Sequence, residues 1–410
     1  MSGNRGGPLS HVRVLDLSRI LAGPWAGQVL ADLGADVVKV ERPGAGDDTR
    51  AWGPPFLKDT SGEATGDAGY FLAVNRGKRS ITLDLSKREG QDLVRRLAAR
   101  ADVLLENYKV GTLAKFGLGY EDMNSVNPRL VYCSVTGFGQ NGPKHDHAAY
   151  DFMIQAACGL MSVTGERDGL PGAGPQKVGV PIVDLMTGMY AAVAVLAGLS
   201  RRDQTGTGEY IDIGMLDVGV SMLANQAMNF LISGKAPRRA GNKHPNIQPQ
   251  DVFATLDGHI ALVVGNDSQF VKFCEAVGRP EWAAEERFRT NAGRVTNQAV
   301  LLPMIGELLA TRESRLWSEL FNAAGVPCGP INTIPEVFED EQVKYREMSV
   351  RIPHPAAGSV PQVASPMKFT KAPLAFDRAP PMLGQHTREV LREIGLNAVQ
   401  IETLAAQGVI

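Results

Sequence analysis

From residue 12 to residue 135 the chain alternates short apolar runs with helical segments joined by short links, and this alternation restricts the fold more than any other feature. Val12–Asp16 reads as a strand. Pro24 suits the first turn of a helix that runs to about Leu33, where Gly34 ends it. Asp36–Glu41, Ser80–Leu85, Asp102–Glu106 and Leu130–Val135 are further strands. Between them, Lys87–Arg100 carries Leu93, Leu97 and Ala98 on one helical face, and Tyr120–Val126 forms a shorter helix. Strands that alternate with helices build a mostly parallel sheet covered on both faces, so the fold class is α/β. Residues 43–69, rich in Gly, Asp, Pro and Thr, read as a long loop, and such a loop in a compact domain is usually functional.

The pattern changes after residue 150. Asp151–Val163, Leu185–Leu199 and Leu216–Ile232 read as helices and Glu209–Gly214 as a strand. Strands around Asp257-Gly258 form a hairpin, followed by helices over 267–277, 295–311 and 313–324. A chain of 410 residues is expected to hold two or three domains. The reading is a large domain from 1–224, a smaller α+β domain over 225–325, and a Pro-rich, irregular linker with two C-terminal helices over 326–410 that returns to the large domain.

Composition excludes several partners. The chain is 44% hydrophobic and 21% charged, as globular proteins are. Lys and Arg number 42 and Asp and Glu 44, so the net charge of −2 offers no footprint for nucleic acid or an anionic membrane surface. The apolar run Leu185–Leu199 is shorter than the roughly 18–20 residues a membrane span needs. The N-terminus carries no apolar signal region. Cys133, Cys158, Cys274 and Cys328 stand far apart, so no metal site or disulfide framework is expected, and the protein reads as soluble and cytoplasmic.

A sheet of this kind binds ligands at the carboxyl ends of its strands. The first such turn, Ser18–Pro24, lacks GxGxxG, and the chain has no P-loop, HExxH or GxSxG. Arg42 follows the second strand, as a solvated loop arginine or a phosphate ligand. Asn75–Arg79 (NRGKR) is a solvated basic face or a phosphate site. Asn107-Tyr108 offers the donor and aromatic face that an adenine ring uses, or a turn asparagine beside a half-buried tyrosine. Lys115 is a surface lysine or a second phosphate charge. Asp184 opens an apolar helix, either as its N-cap or as a nucleophile kept charged in a water-poor surround.

Taken together, the ordered segments 15–50, 75–85, 102–123, 127–143, 150–165, the Asp184 helix, 327–332 and 383–396 resemble the class III CoA-transferases, the family of formyl-CoA transferase, carnitine CoA-transferase and α-methylacyl-CoA racemase. The resemblance implies a Rossmann-like large domain, a small domain and an interlocked homodimer. It places the catalytic aspartate on Asp184. It places CoA contacts on Leu21, Ala22, Arg42, Leu83, Asp84, Leu85, Ser86, Asn107, Tyr108, Lys115 and Tyr150. No metal or cofactor is implied beyond coenzyme A as substrate; the partners are an acyl-CoA and a small carboxylic acid.

Leu21 replaces the glutamine of oxalate-using members, Lys115 replaces their arginine, and no Gly-rich run stands near 240–265, which turns the reading away from oxalate and formate. Members resembling this chain pair succinyl-CoA with a small diacid such as glutarate. A second carboxylate asks for a cation, and Arg19, Lys144, His145 and His147 are candidates. Two alternatives remain: an acyl-CoA racemase of the same fold, and a non-catalytic CoA-binding protein. Racemases of the family carry GHD where this chain has Ala149-Tyr150-Asp151, so tyrosine holds the histidine position and transfer without racemisation is expected.

Overall fold

The computed structural model describes residues 6–374 and 376–410. They form two compact units. The larger takes the chain up to Leu160 together with Val178–Ala224 and Glu341–Ile410; the smaller takes Met161–Lys177 and Asn225–Asp340.

Six strands form the sheet of the larger unit: β1 (Arg13–Asp16), β2 (Asp36–Glu41), β3 (Arg79–Thr82), β4 (Val103–Glu106), β5 (Val131–Thr136) and β6 (Glu209–Gly214). Every neighbouring pair is parallel, in the order β3-β2-β1-β4-β5-β6. Alternate side chains enter opposite cores. Leu15, Val38, Ile81 and Leu104 pack against the helix Arg88–Ala98 and the C-terminal helices Thr387–Glu393 and Ala398–Ala406. Val14, Val37, Val103 and Val131 pack against α1 (Ala22–Asp32) and the long helix Ile182–Thr205. With both faces covered, a central strand such as β5 is buried at every residue, which is why its sequence shows no polar alternation.

The Ile182–Thr205 helix has 24 residues and a mean hydropathy of 1.8 over its most apolar window, long and apolar enough to cross a membrane, whereas the sequence run suggested a shorter element. Half of that window is buried within the fold. A Cβ at Gly188 would lie 2.5 Å from the Ala22 carbonyl oxygen and 2.9 Å from Trp25, so the glycine lets the two helices touch.

Three regions differ from the sequence reading. The loop over 43–69 contains a short hairpin, Phe56–Lys58 with Ala64–Ala68. The single helix expected over Leu216–Ile232 is two, Met215–Ser221 and Ala224–Ser233, with Ala224 in the left-handed region at φ 41°. The stretch read as irregular holds an antiparallel hairpin, Ser349–His354 with Gly358–Val363. Pro353 and Pro361 sit within it, which an isolated two-stranded sheet tolerates because each strand has one unpaired edge.

The smaller unit carries a three-stranded antiparallel sheet, Gln250–Ala254, His259–Val263 and Cys328–Pro330. It encloses a core around Phe270, Phe273, Trp317 and Phe321.

Candidate active site

The first and fourth strands leave the sheet beside one another, at the point where the strand order reverses. Ligands of doubly wound sheets bind at this point. A cleft of about 280 Å³ opens there, lined by the β1–α1 turn, by Asn107 and Tyr108 after β4, by the loop from Gly137 to Tyr150 after β5, and by Asp184. A second cleft of about 230 Å³ is lined by Arg42, Asp47 and Leu83–Ser86. Arg19 and Tyr108 line both, so the two make one extended groove along the carboxyl ends of the strands.

Buried charges fix the first turn of the groove. Lys39 Nζ donates to the Ser18 carbonyl at 2.8 Å and pairs with Asp47 at 2.8 Å. Lys78 Nζ donates to Asp16 at 2.9 Å and to the Pro24 carbonyl at 2.8 Å. Burial pushes the Lys78 ammonium down to about 8 despite the attraction of Asp16. Burial also opposes the charge of Asp47, yet Lys39 and the Thr49 donors hold its carboxyl at about 2. Ile20 lies at φ 72°, a strained conformation for a β-branched residue, with its N–H directed at the Asp47 carboxylate at 3.3 Å.

This arrangement corrects the reading of NRGKR as a solvated face or phosphate site. Arg76, Lys78 and Arg79 are 4%, 0% and 2% exposed, and they pair with Asp32, Asp16 and Asp36. Their charges are spent on the core. The Asn107 amide is engaged as well: it accepts from Arg19 N at 2.8 Å and donates to Arg19 O at 2.7 Å, so it ties the two switch-point turns together. Tyr108 is half-buried, with the Arg19 guanidinium 5.6 Å from its ring centre.

The long helix, α3 (Ile182–Thr205), and the helix Asp151–Ala157, α2, build the end of the cleft where Asp184 lies. Its N-cap is Pro181, which corrects the N-cap reading of Asp184: the aspartate is the third residue of the first turn, and its side chain does not cap. Asp184 is 9% exposed. Its backbone N–H donates to Asp151 Oδ1 at 3.2 Å, as does that of Val183 at 2.8 Å. Burial first, and then the Asp151 carboxylate, push the Asp184 carboxyl up to about 7. Such a carboxyl is only about half ionised at neutral pH, and its ionised form is poorly solvated, as a nucleophile's is.

Leu21, Ala22, Asn107, Tyr108, Tyr150 and Asp184 line the first cleft, and Arg42, Leu83, Asp84, Leu85 and Ser86 line the second along with Tyr108. Lys115 lines neither. Of the four cation candidates, Arg19, His145 and His147 line the cleft of Asp184 and Lys144 does not. Two residues near Asp184 were not singled out from the sequence. One is Asp151, 8% exposed. The other is Tyr70, raised by burial and by the charges of Asp184 and Asp151. Asp151 stands at the aspartate of the GHD triplet but reads as an ordinary first-turn acid, and Tyr70 follows the stretch 43–69 read as loop, so neither was singled out. Glu106, at the end of β4, is a third: it accepts from Ser134 and from Tyr108 N, and burial pushes its carboxyl up to about 7.

Residues 9–387 match the sequence pattern of CoA-transferase family III. The chain belongs to that family. It is a class III CoA-transferase, similar over its length to curated members. The succinate–glutarate CoA-transferase of Agrobacterium fabrum is 48% identical over 396 residues, 95% of this chain and 96% of that protein. The mouse succinyl-CoA:glutarate CoA-transferase is 42% identical over 404 residues, 98% of this chain and 90% of that one. The crystal structure of a CAIB/BAIF family protein from Brucella suis superposes with a TM-score of 0.82 at 47% identity, covering 95% of this chain and all 100% of that one.

Proposed function

We propose that this family III CoA-transferase moves CoA from succinyl-CoA to a small dicarboxylate such as glutarate, with Asp184 as nucleophile. One observation carries the reading: a buried carboxylate, raised to about 7, lines a groove that runs along the strand ends. The names of the relatives support the acid class. Glutarate appears for Agrobacterium and mouse, mesaconate for Haloarcula hispanica and D-citramalate for Chloroflexus aurantiacus, the last two at 39% and 34% identity.

Asp184 Oδ attacks the thioester carbonyl carbon. The C–S bond breaks, and CoA leaves as thiolate from a mixed anhydride. The thiolate then attacks Asp184 Cγ, and the donor acid leaves as carboxylate from an aspartyl-CoA thioester. The acceptor carboxylate attacks the same carbon, expels the thiolate and forms a new anhydride. The thiolate finally attacks the acceptor carbonyl, frees Asp184 and yields the new acyl-CoA. Each hard step is split in two, and the thioester is already activated, so the scheme calls for no metal. The groove keeps the nucleotide bound while the thiolate waits, and Arg42, which lines its second cleft, supplies charge to the phosphates; Lys115, outside both clefts, is not given that role. Arg19, which also pairs with Asp48 at 3.1 Å, and His145 and His147 share the cleft of Asp184 and are the candidates to meet a second carboxylate. In this reading the enzyme works as an interlocked homodimer in the cytoplasm.

The test is an exchange assay with purified protein, succinyl-CoA and a panel of mono- and dicarboxylic acids, followed by mass spectrometry. Transfer to short diacids is the expected result; transfer to none of them refutes the proposal. The presence of His145 and His147 in the cleft of Asp184 favours one further reading, proton exchange at the α-carbon. Incubation with a 2-methylacyl-CoA in deuterated water decides it. The transfer reading expects no α-deuterium without an acceptor acid, and rapid incorporation establishes racemase chemistry.

A further inference from the structure

We infer that Asp151 is a positioning residue: its buried carboxylate holds the first turn of α3 by two N–H groups and stands as a fixed like charge that disfavours free Asp184 relative to acylated Asp184. The inference rests on Asp184 being the nucleophile.

Asp151 is fully engaged. Oδ1 accepts from Val183 N and Asp184 N, and Oδ2 accepts from Gln155 Nε2 at 2.6 Å. Gln155 is itself 0% exposed, and its Oε1 accepts from Val178 N at 2.9 Å. The carboxylate is therefore held from both sides by donors that carry no charge. A helix start is ordinarily satisfied by a Ser, Thr, Asp or Asn at its own N-cap. Here the acceptor is a second carboxylate, brought from another helix to the backbone of the nucleophile.

The groups facing Asp184 come from four directions: Tyr70, Asp151 on α2, His145 and His147 in the loop after β5, and Arg19 in the first turn. Of these, Asp151 is the one that, after burial itself, raises the Asp184 carboxyl. Two like charges at one site disfavour the ionised form of one of them. The repulsion ends when Asp184 Oδ bonds to the acyl carbon and the thiolate carries the charge away. It persists in the resting enzyme. Asp151 therefore raises the free carboxylate in energy, leaves the anhydride and the thioester untouched, and makes the nucleophile more basic.

The test is the pH profile of kcat/KM for succinyl-CoA. Wild type should show a limb that rises with pH through about 7, since the ionised carboxylate attacks. Asp151→Asn keeps an acceptor oxygen and removes the charge. Its limb should move down by about one pH unit, with a plateau reduced by about tenfold because a less basic nucleophile is weaker. Asp151→Ser, also neutral with an acceptor, gives the same comparison should the asparagine variant fold poorly. A His145→Asn/His147→Asn variant should keep the wild-type limb, which separates the aspartate from the histidines. An unmoved limb in the folded Asp151 variants overturns the inference, because a purely structural role lowers the rate at every pH alike. The CoA adduct on Asp184 in wild type, read by mass spectrometry, keeps the two claims apart. Its presence with an unmoved limb refutes the role of Asp151 alone; its absence refutes the nucleophile.

Discussion

Gly188→Ala perturbs the groove without touching a polar group. The added Cβ would lie 2.5 Å from the Ala22 carbonyl oxygen and 2.9 Å from Cβ and Cδ1 of Trp25. Ordinary carbon contacts begin near 3.5 Å, so α1 and α3 must separate by about 1 Å. Neither contact is the far end of a flexible side chain. Overpacking of this kind costs about 1–3 kcal/mol. The same shift moves Leu21 and Ala22, which line the cleft together with Asp184, one helical turn before Gly188. A displacement of about 1 Å in positioned groups can lower turnover by about a hundredfold. The assay is kcat/KM for succinyl-CoA alongside thermal unfolding. Gly329→Ala, where an added Cβ meets nothing within 4 Å, is the control and should change little. Wild-type melting together with activity within threefold of wild type in Gly188→Ala would refute the claim that this contact sets the groove.

Two further outcomes follow from the groove walls. Asn107→Ala removes both bonds to the Arg19 backbone, so KM for the acyl-CoA should rise by about tenfold while CoA analogues lacking adenine lose as much as intact CoA; a loss confined to adenine-bearing ligands would show that the amide reads the base. Arg42→Ala should weaken CoA binding more at low salt than at high salt in calorimetric titrations, and equal affinity at low salt counts against a phosphate role.

The sheet was legible because its strands are apolar runs between helical segments with short links, and local pattern suffices for that. What stayed hidden depends on partners far apart in sequence. The cations of NRGKR look solvated until Asp16, Asp32 and Asp36 arrive from three earlier segments to bury them. The hairpin at Ser349–His354 was obscured by Pro353 and Pro361, which signal irregular chain unless the strands are known to have free edges. The third strand of the smaller unit, Cys328–Pro330, is too short to carry a pattern. At the site, Asp184 was singled out by its motif, but its surroundings depend on Asp151, a residue 33 positions away whose own position looks ordinary. Asn107 binds the Arg19 backbone, a partner 88 positions away that its hydrogen-bonding capacity alone does not reveal.

The central claim is that Asp184 carries the acyl group and then CoA. Intact-protein mass spectrometry after brief mixing with succinyl-CoA tests it most directly, with proteolysis to map the adduct. The account predicts a CoA adduct on the peptide containing Asp184, discharged by an acceptor diacid, and absent from a folded Asp184→Ala variant whose transfer rate has fallen by several orders of magnitude. An adduct on another residue, or Asp184→Ala transferring CoA within tenfold of wild type, would contradict it.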